Sequence, residues 1–155
     1  MPEPFLYEQL DTLSQWGSIK KEIPDCVAQN LNQRYELRPY QIEAFARFFH
    51  CYKNEFPNKA YPLHLLFKMA TGSGKTLIMA GLILYLYEQG YRNFLFFVNS
   101  TNIIEKTKDN FLNPASIKYR FNQDIHIANH RVRITPVENF EAVNPSDINI
   151  CFTTI

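Results

Sequence analysis

Met69-Ala70-Thr71-Gly72-Ser73-Gly74-Lys75-Thr76 is the stretch whose reading decides the fold. Small residues in such a run let successive backbone N–H groups curl around phosphate oxygens. A helix that follows turns its positive N-terminal end toward the same anion. In that frame Lys75 places an ammonium on the β- and γ-phosphates, and the Thr76 hydroxyl is positioned to coordinate magnesium. The general pattern is G-x-x-x-x-G-K-[ST]; here Met69 stands at the first position and the remaining ones fit. The bland alternative is a glycine-rich turn that binds nothing. The flanks speak for the nucleotide site: Pro62–Phe67 is a short apolar run suited to a buried strand, and a helix is expected from the loop to Gln89, stopped by Gly90. Thr71, Gly72, Ser73, Gly74, Lys75 and Thr76 are therefore the candidate nucleotide-binding residues, with Lys75 and Thr76 the catalytic candidates and Thr76 the magnesium ligand.

Working outward, Phe94–Val98 reads as a second buried strand and Asn102–Phe111 as a helix. Ile125–Ile127 and Val132–Ile134 are weaker strand candidates, and Ile148–Thr153 is a last strand. Upstream, Leu37-Arg38-Pro39 opens a helix, because proline is tolerated at the first helical position. Ile42, Phe45, Phe48, Phe49 and Tyr52 form its apolar face, and it should end before Phe56-Pro57-Asn58. Near the start, Phe5, Leu6, Leu10, Leu13 and Trp16 follow a helical period with Gly17 as a stop, and Pro24 opens another turn. Strands alternating with helices predict an α/β fold, a parallel sheet flanked by helices. The division expected is a helical N-terminal extension over residues 1–36 and an ATP-binding domain over 37–155.

Composition narrows the class further. The 155 residues suit one α/β domain with a real core, and 46% hydrophobic with 20% charged residues is ordinary globular usage. A net charge of +1 gives no bulk argument for a nucleic-acid partner. Cys26, Cys51 and Cys151 are odd in number and far apart, which fits reduced thiols in a cytoplasmic protein rather than a disulfide framework or zinc site. No signal-peptide pattern opens the chain. The longest apolar run, Leu77–Tyr87, is far shorter than the roughly 18 residues of a membrane span, so no membrane role is expected. His126 and His130 lack the glutamate of H-E-x-x-H and carry little case for a metal. From Thr101 to Thr135 six Lys/Arg face three acids, a mild basic bias that suits a phosphate backbone or a solvated face.

Two segments together carry a resemblance. Leu37-Arg38-Pro39-Tyr40-Gln41 lies upstream of the methionine-first phosphate loop, and the pair resembles the Q-motif and motif I of superfamily-two helicases. The resemblance is in particular to the motor subunits of type III, and related type I, restriction enzymes. The resemblance implies a RecA-like fold, ATP and magnesium as ligands, and Gln41, with Arg38, reading the adenine edge. An amide donates and accepts at once, which suits N6/N7 of adenine; the rival reading of Gln41 is an exposed helix residue. Phe94–Asn102 looks like motif Ia, with Asn99 and Ser100 where the family has a Pro-Thr pair. Ser100 or Thr101 would then touch a DNA phosphate, or serve only as a helix N-cap. Asn149–Ile155 resembles the strand into motif Ib, with Thr153 and Thr154 as further DNA contacts.

The resemblance implies a motor that moves on duplex DNA within a restriction–modification complex, alongside a modification or specificity subunit. The family also expects a D-E-x-H type motif. After Thr76 the acids are Glu88, Glu105, Asp109, Asp124, Glu138, Glu141 and Asp147, and none closes an apolar strand as an Asp-Glu pair. The chain is therefore expected to bind nucleotide and hydrolyse little of it by itself. Rival functions are another superfamily-two DNA or RNA helicase, a P-loop phosphotransferase, which normally carries its loop nearer the N-terminus, and a non-catalytic nucleic-acid-binding module.

Overall fold

The structure is a computed structural model and describes residues 3–154. Helix ends are closed by the residues the sequence offers. Helix α1 (Leu6–Gln15) begins where the Glu8 carboxylate accepts the Phe5 N–H at 2.8 Å. It ends at Gly17, whose φ of 71° lets the Gly17 and Ser18 N–H groups reach back to the carbonyls of Ser14 and Leu13. Pro24 caps the short helix α2 (Asp25–Ala28). Pro39 opens helix α3 (Pro39–Lys53), where the Gln41 side-chain carbonyl accepts the Arg38 N–H at 3.0 Å. Helix α4 (Lys75–Glu88) repeats the α1 ending: Gly90, at φ 105°, directs its own N–H to Tyr87 and that of Tyr91 to Leu86. A helix as apolar as α4 is buried on most sides, and Leu77, Ile78, Ala80, Gly81, Leu84, Tyr85 and Tyr87 are.

The chain divides into two compact units. One comprises residues up to Ile23 together with Leu37–Ser73. In it α1 meets α3 through Leu10, Ile19, Ala46 and Cys51, with Leu6, Leu13, Phe56 and Leu65 packed around them. Beside that core runs a charged seam. Arg47 bridges Asp11 at 2.6 Å and Glu43 at 2.8 Å, while Glu43 also takes Lys21 at 2.8 Å and the Ser14 hydroxyl at 2.7 Å. Burial on its own raises the Glu43 pKa, but the hydrogen bonds from Lys21, Arg47 and Ser14 outweigh it and hold the carboxyl at about 2.

The apolar run Pro62–Phe67 does not form the strand its composition predicts. From Leu63 to Ala70 the backbone carries no assigned ladder, although exposure still alternates residue by residue, with Leu66 exposed. A strand needs a neighbour to bond with, and among the described residues the sheets run β1-β5-β4 and β2-β3, neither of which includes residues 62–67.

The other unit comprises Pro24–Glu36 and the chain from Gly74 onward. Strand β1 (Asn93–Val98) leads through helix α5 (Thr101–Leu112) to a hairpin of β2 (Ile125–Ile127) and β3 (His130–Val132), then to β4 (Ile134–Val137) and β5 (Ile148–Thr154). Strands β1, β5 and β4 form a parallel sheet with β5 in the centre. Helix α5 packs across all three strands. Its face of the sheet carries Phe96 against Phe152, ring centroids 5.7 Å apart, with Lys108 of α5 over the Phe152 ring. Leu95 and Phe97 point to the opposite face and are 55% and 54% exposed.

Asn30 joins α2 to the hairpin. Its amide nitrogen donates to the carbonyls of Cys26 and His126, both at 2.9 Å, and its amide oxygen accepts the His126 N–H at 2.8 Å. Only 2% of Asn30 is exposed, so this side chain acts as a one-residue strand along β2. Among the described residues no helix is long and apolar enough to cross a membrane. The mixed α/β class and the parallel sheet are as the sequence predicts.

Candidate nucleotide-binding site

The glycine-rich loop is bent at two points. Gly72 has φ 77° and Gly74 φ 89°. A Cβ placed on Gly72 would meet no atom within 4 Å, so backbone conformation and not crowding calls for glycine there, and the space beside it is open. The Ser73 N–H and hydroxyl both turn back onto the Ala70 carbonyl, at 3.3 and 2.7 Å. The Ser73 carbonyl in turn accepts the Tyr40 hydroxyl at 3.0 Å and the Gln41 amide nitrogen at 2.9 Å. Gln41 is buried, at 5% exposure, and it thereby ties the first turn of α3 to the loop. An amide has two donor hydrogens and two acceptor lone pairs; these contacts use one of each.

Beyond the loop, Gly74 is the N-cap of α4, and its carbonyl accepts the N–H groups of Leu77 and Ile78 at 2.9 and 3.1 Å. Lys75 and Thr76 are the first two helical residues, at the end where the helix dipole is positive. Lys75 is exposed and Thr76 half-buried.

A cavity of about 1010 Å³ lies within the first unit, bounded by Met69–Ser73 on one wall and by α1 and α3 on the others. Arg38 and Tyr40 line it beside the loop. So do Phe5, the N-cap of α1, and Tyr7 of its first turn, whose rings lie parallel within 11° at 6.0 Å between centroids. The sequence assigns Tyr40 no role and places Phe5 only on a helix face, and nothing in it marks Tyr7. No local signal marks a ring as lining a cavity, whereas the tyrosine directly before Gln41 was open to suspicion.

The candidates for nucleic acid sit in the second unit. Ser100 is the N-cap of α5, yet its side chain makes no capping hydrogen bond. Thr101 is exposed as the first residue of that helix. Thr153 and Thr154 are exposed at the end of β5, paired with Phe97 and Val98 of β1. The parallel register thus gathers Ser100, Thr101, Thr153 and Thr154 at the carboxyl edge of the sheet, where open α/β sheets bind ligands. Ile155, the last residue of the motif Ib-like stretch, lies outside the described residues. His126 and His130 stand on the two strands of the hairpin, opposite Arg131 and Ile127.

A family model described as the Res subunit of type III restriction enzymes matches residues 34–155. The chain belongs to this family. Among curated proteins it is 43% identical over 136 residues to the probable type III restriction-modification enzyme HindVIP Res subunit of Haemophilus influenzae, a match covering 86% of this chain and 26% of that protein. The chain therefore spans about a quarter of that relative's length. No solved structure matches it. The family match runs through both the glycine loop and the upstream Leu37–Gln41 segment.

Proposed function

We propose that this chain is the nucleotide-binding part of the ATP-driven DNA motor of a type III restriction enzyme, built on a RecA-like P-loop fold. The observation that carries the reading is the glycine-bent loop tied by its Ser73 carbonyl to Tyr40 and Gln41, with a cavity opening beside it. The residues fit the ligand. Thr71, Gly72, Ser73 and Gly74 shape the backbone that wraps the phosphates, Lys75 answers their charge, and Thr76 holds magnesium. Bound ATP and magnesium supply the phosphoryl group and the cation that neutralises it. Gln41 keeps one donor and one acceptor for the adenine edge, and Arg38 supports it from the cavity wall.

Duplex DNA is the second ligand. Ser100, Thr101, Thr153 and Thr154 offer hydroxyls to its phosphates from the carboxyl edge of the sheet. The relative's printed name makes it a Res subunit of a restriction-modification enzyme, which points to a modification subunit as partner; the three free, buried cysteines suit the cytoplasm. In this chain no Asp-Glu pair closes an apolar strand after Thr76, so it holds nucleotide and hydrolyses little.

The test has two arms. This chain should bind ATP in the presence of magnesium, and Lys75→Ala should abolish binding by removing the ammonium from the phosphates. In a longer protein that includes the rest of the motor, ATPase activity should rise with duplex DNA and vanish in Lys75→Ala. DNA stimulation that survives that substitution overturns the motor reading.

A further inference from the structure

We infer that Arg34, Lys118 and Arg120 form a second contact for the phosphate backbone of duplex DNA, at the opposite edge of the sheet from Ser100 and Thr154. This rests on the DNA reading above and adds to it the charge that the first edge lacks. Ser100, Thr101, Thr153 and Thr154 are hydroxyls, which bond a phosphate without neutralising it. Cations that release counterions supply the electrostatic part of affinity for DNA.

The mild basic bias of Thr101–Thr135 resolves into unequal parts. Lys108 is paired with Glu105 at 3.3 Å and Arg131 with Asp124 at 2.8 Å. Lys106 stands exposed on α5, and Arg133 between β3 and β4. Lys118 and Arg120 are instead gathered with Arg34. Burial alternates along their run: Lys118 is exposed, Tyr119 buried, Arg120 half-buried and Phe121 buried. The Asn32 N–H donates to the Arg120 carbonyl at 2.9 Å, and Leu31 pairs antiparallel with Phe121, so the segment leading to Arg34 lies beside this run. Arg34 then donates from Nη1 to the Ile117 carbonyl at 2.9 Å, and the Tyr35 hydroxyl reaches the same oxygen at 3.4 Å. The Arg120 guanidinium lies over the Tyr35 ring, 4.8 Å from its centre.

Among the described residues no acid lies within ion-pair distance of these three cations. The flanking acids are engaged elsewhere: Asp109 takes the Asn113 amide and the Ser116 hydroxyl, and Asp124 takes Arg131. A carbonyl and a ring hold the two guanidiniums in place without neutralising them, so both keep their charge and free donors for an oxyanion.

The place follows from α5. Strands β1, β4 and β5 are parallel, so the chain must return from the carboxyl edge to the amino edge between β1 and β4, and α5 makes that return. The Arg120 N–H donates to the Asn110 carbonyl in the last turn of α5 at 2.9 Å, which fixes the cluster at the far end of the helix from Ser100. The 12 residues of α5 span about 18 Å, the rise of about five base pairs of duplex.

Fluorescence anisotropy of a labelled random-sequence duplex, repeated over a range of salt, tests the cluster. Each cation that neutralises a phosphate adds about 0.9 to the slope of log affinity against log salt, so Arg34→Gln/Lys118→Gln/Arg120→Gln should lower the slope by about 2.7. A roughly fourfold rise in salt should then cost the wild type about fortyfold more affinity than the variant. Lys118→Gln removes an exposed side chain with no hydrogen bond to the described residues, and should lower the slope by about 0.9 with the fold intact. Arg34→Lys/Arg120→Lys keeps the charge and should keep the slope. Ser100→Ala should weaken binding and leave the slope as it is, because a hydroxyl releases no counterion. Unchanged slopes in the triple variant and in Lys118→Gln overturn the proposal while the DNA reading stands. Polyglutamate that displaces the duplex as well as inorganic polyphosphate does would mark a dock for an acidic protein, and overturns it too. Wild-type protein that binds no duplex removes the DNA reading, and this inference with it.

Discussion

Replacing Gln41 with alanine removes two hydrogen bonds of unequal weight. The first is the cap to the Arg38 N–H at 3.0 Å; Arg38 is exposed, so water takes over and the loss falls at the low end, about 0.5 kcal/mol. The second is the tie to the Ser73 carbonyl at 2.9 Å, which keeps the Tyr40 hydroxyl at 3.0 Å and is not orphaned, so about 0.5–1 kcal/mol goes with it. The sum, roughly 1–1.5 kcal/mol, corresponds to about tenfold in affinity if all of it is spent keeping the loop in its binding shape. Gln41→Ala should therefore weaken tripolyphosphate by up to about tenfold, and ATP by at least as much. Adding Tyr40→Phe strips the Ser73 carbonyl of both donors, and the pair should cost more than the sum of the two single substitutions. Gln41→Glu should be worse than alanine, because it sets a carboxylate oxygen against that carbonyl. Calorimetric titration of each variant with both ligands reads the effect. Unchanged tripolyphosphate affinity beside weakened ATP would refute the tether and leave Gln41 as a reader of the base alone.

Two further outcomes follow from the frame around the site. Asn30→Ala removes three buried hydrogen bonds and should cost about 3 kcal/mol, while the near-isosteric Asn30→Asp should be at least as harmful because it turns a carboxylate toward the carbonyls of Cys26 and His126. Urea denaturation measures both, and an Asp variant as stable as wild type would sink the account. The Glu43 carboxyl has a folded pKa of about 2 against an ordinary 4.5, so the stability it contributes is complete above about pH 4.5 and is lost as pH falls toward 2. Trp16, the only tryptophan, caps the end of α1 and reports that loosening by fluorescence; the acid step should be absent in Glu43→Gln, and its persistence there would assign it to another group.

What the sequence discloses here is what chemistry writes locally. Pro39 and the stops at Gly17 and Gly90 set helix ends because each satisfies backbone groups within a few residues. The turns at Gly72 and Gly74 are legible for the same reason. Pairing is not local: Pro62–Phe67 has a strand's composition, but composition does not supply the partner that turns an extended run into a sheet. The link from Asn30 to His126 spans 96 positions through one side-chain amide, and no periodicity announces it. Gln41 was legible as an amide near the loop, whereas its bonds to Arg38 and Ser73 required coordinates.

The order of the parallel sheet has a consequence in time. Strand β5, at residues 148–154, lies between β1 and β4, so the strand that pairs with both is synthesised after them. During translation β1 and β4 exist without any partner in this sheet, and neither neighbours the other. Fixing them to one another must wait for β5, which closes both ladders at once, a non-local step of the slow kind. Until then Leu95 and Phe97 belong to a segment without its β5 neighbour, and the nascent chain depends for its solubility on how quickly residues 148–154 arrive.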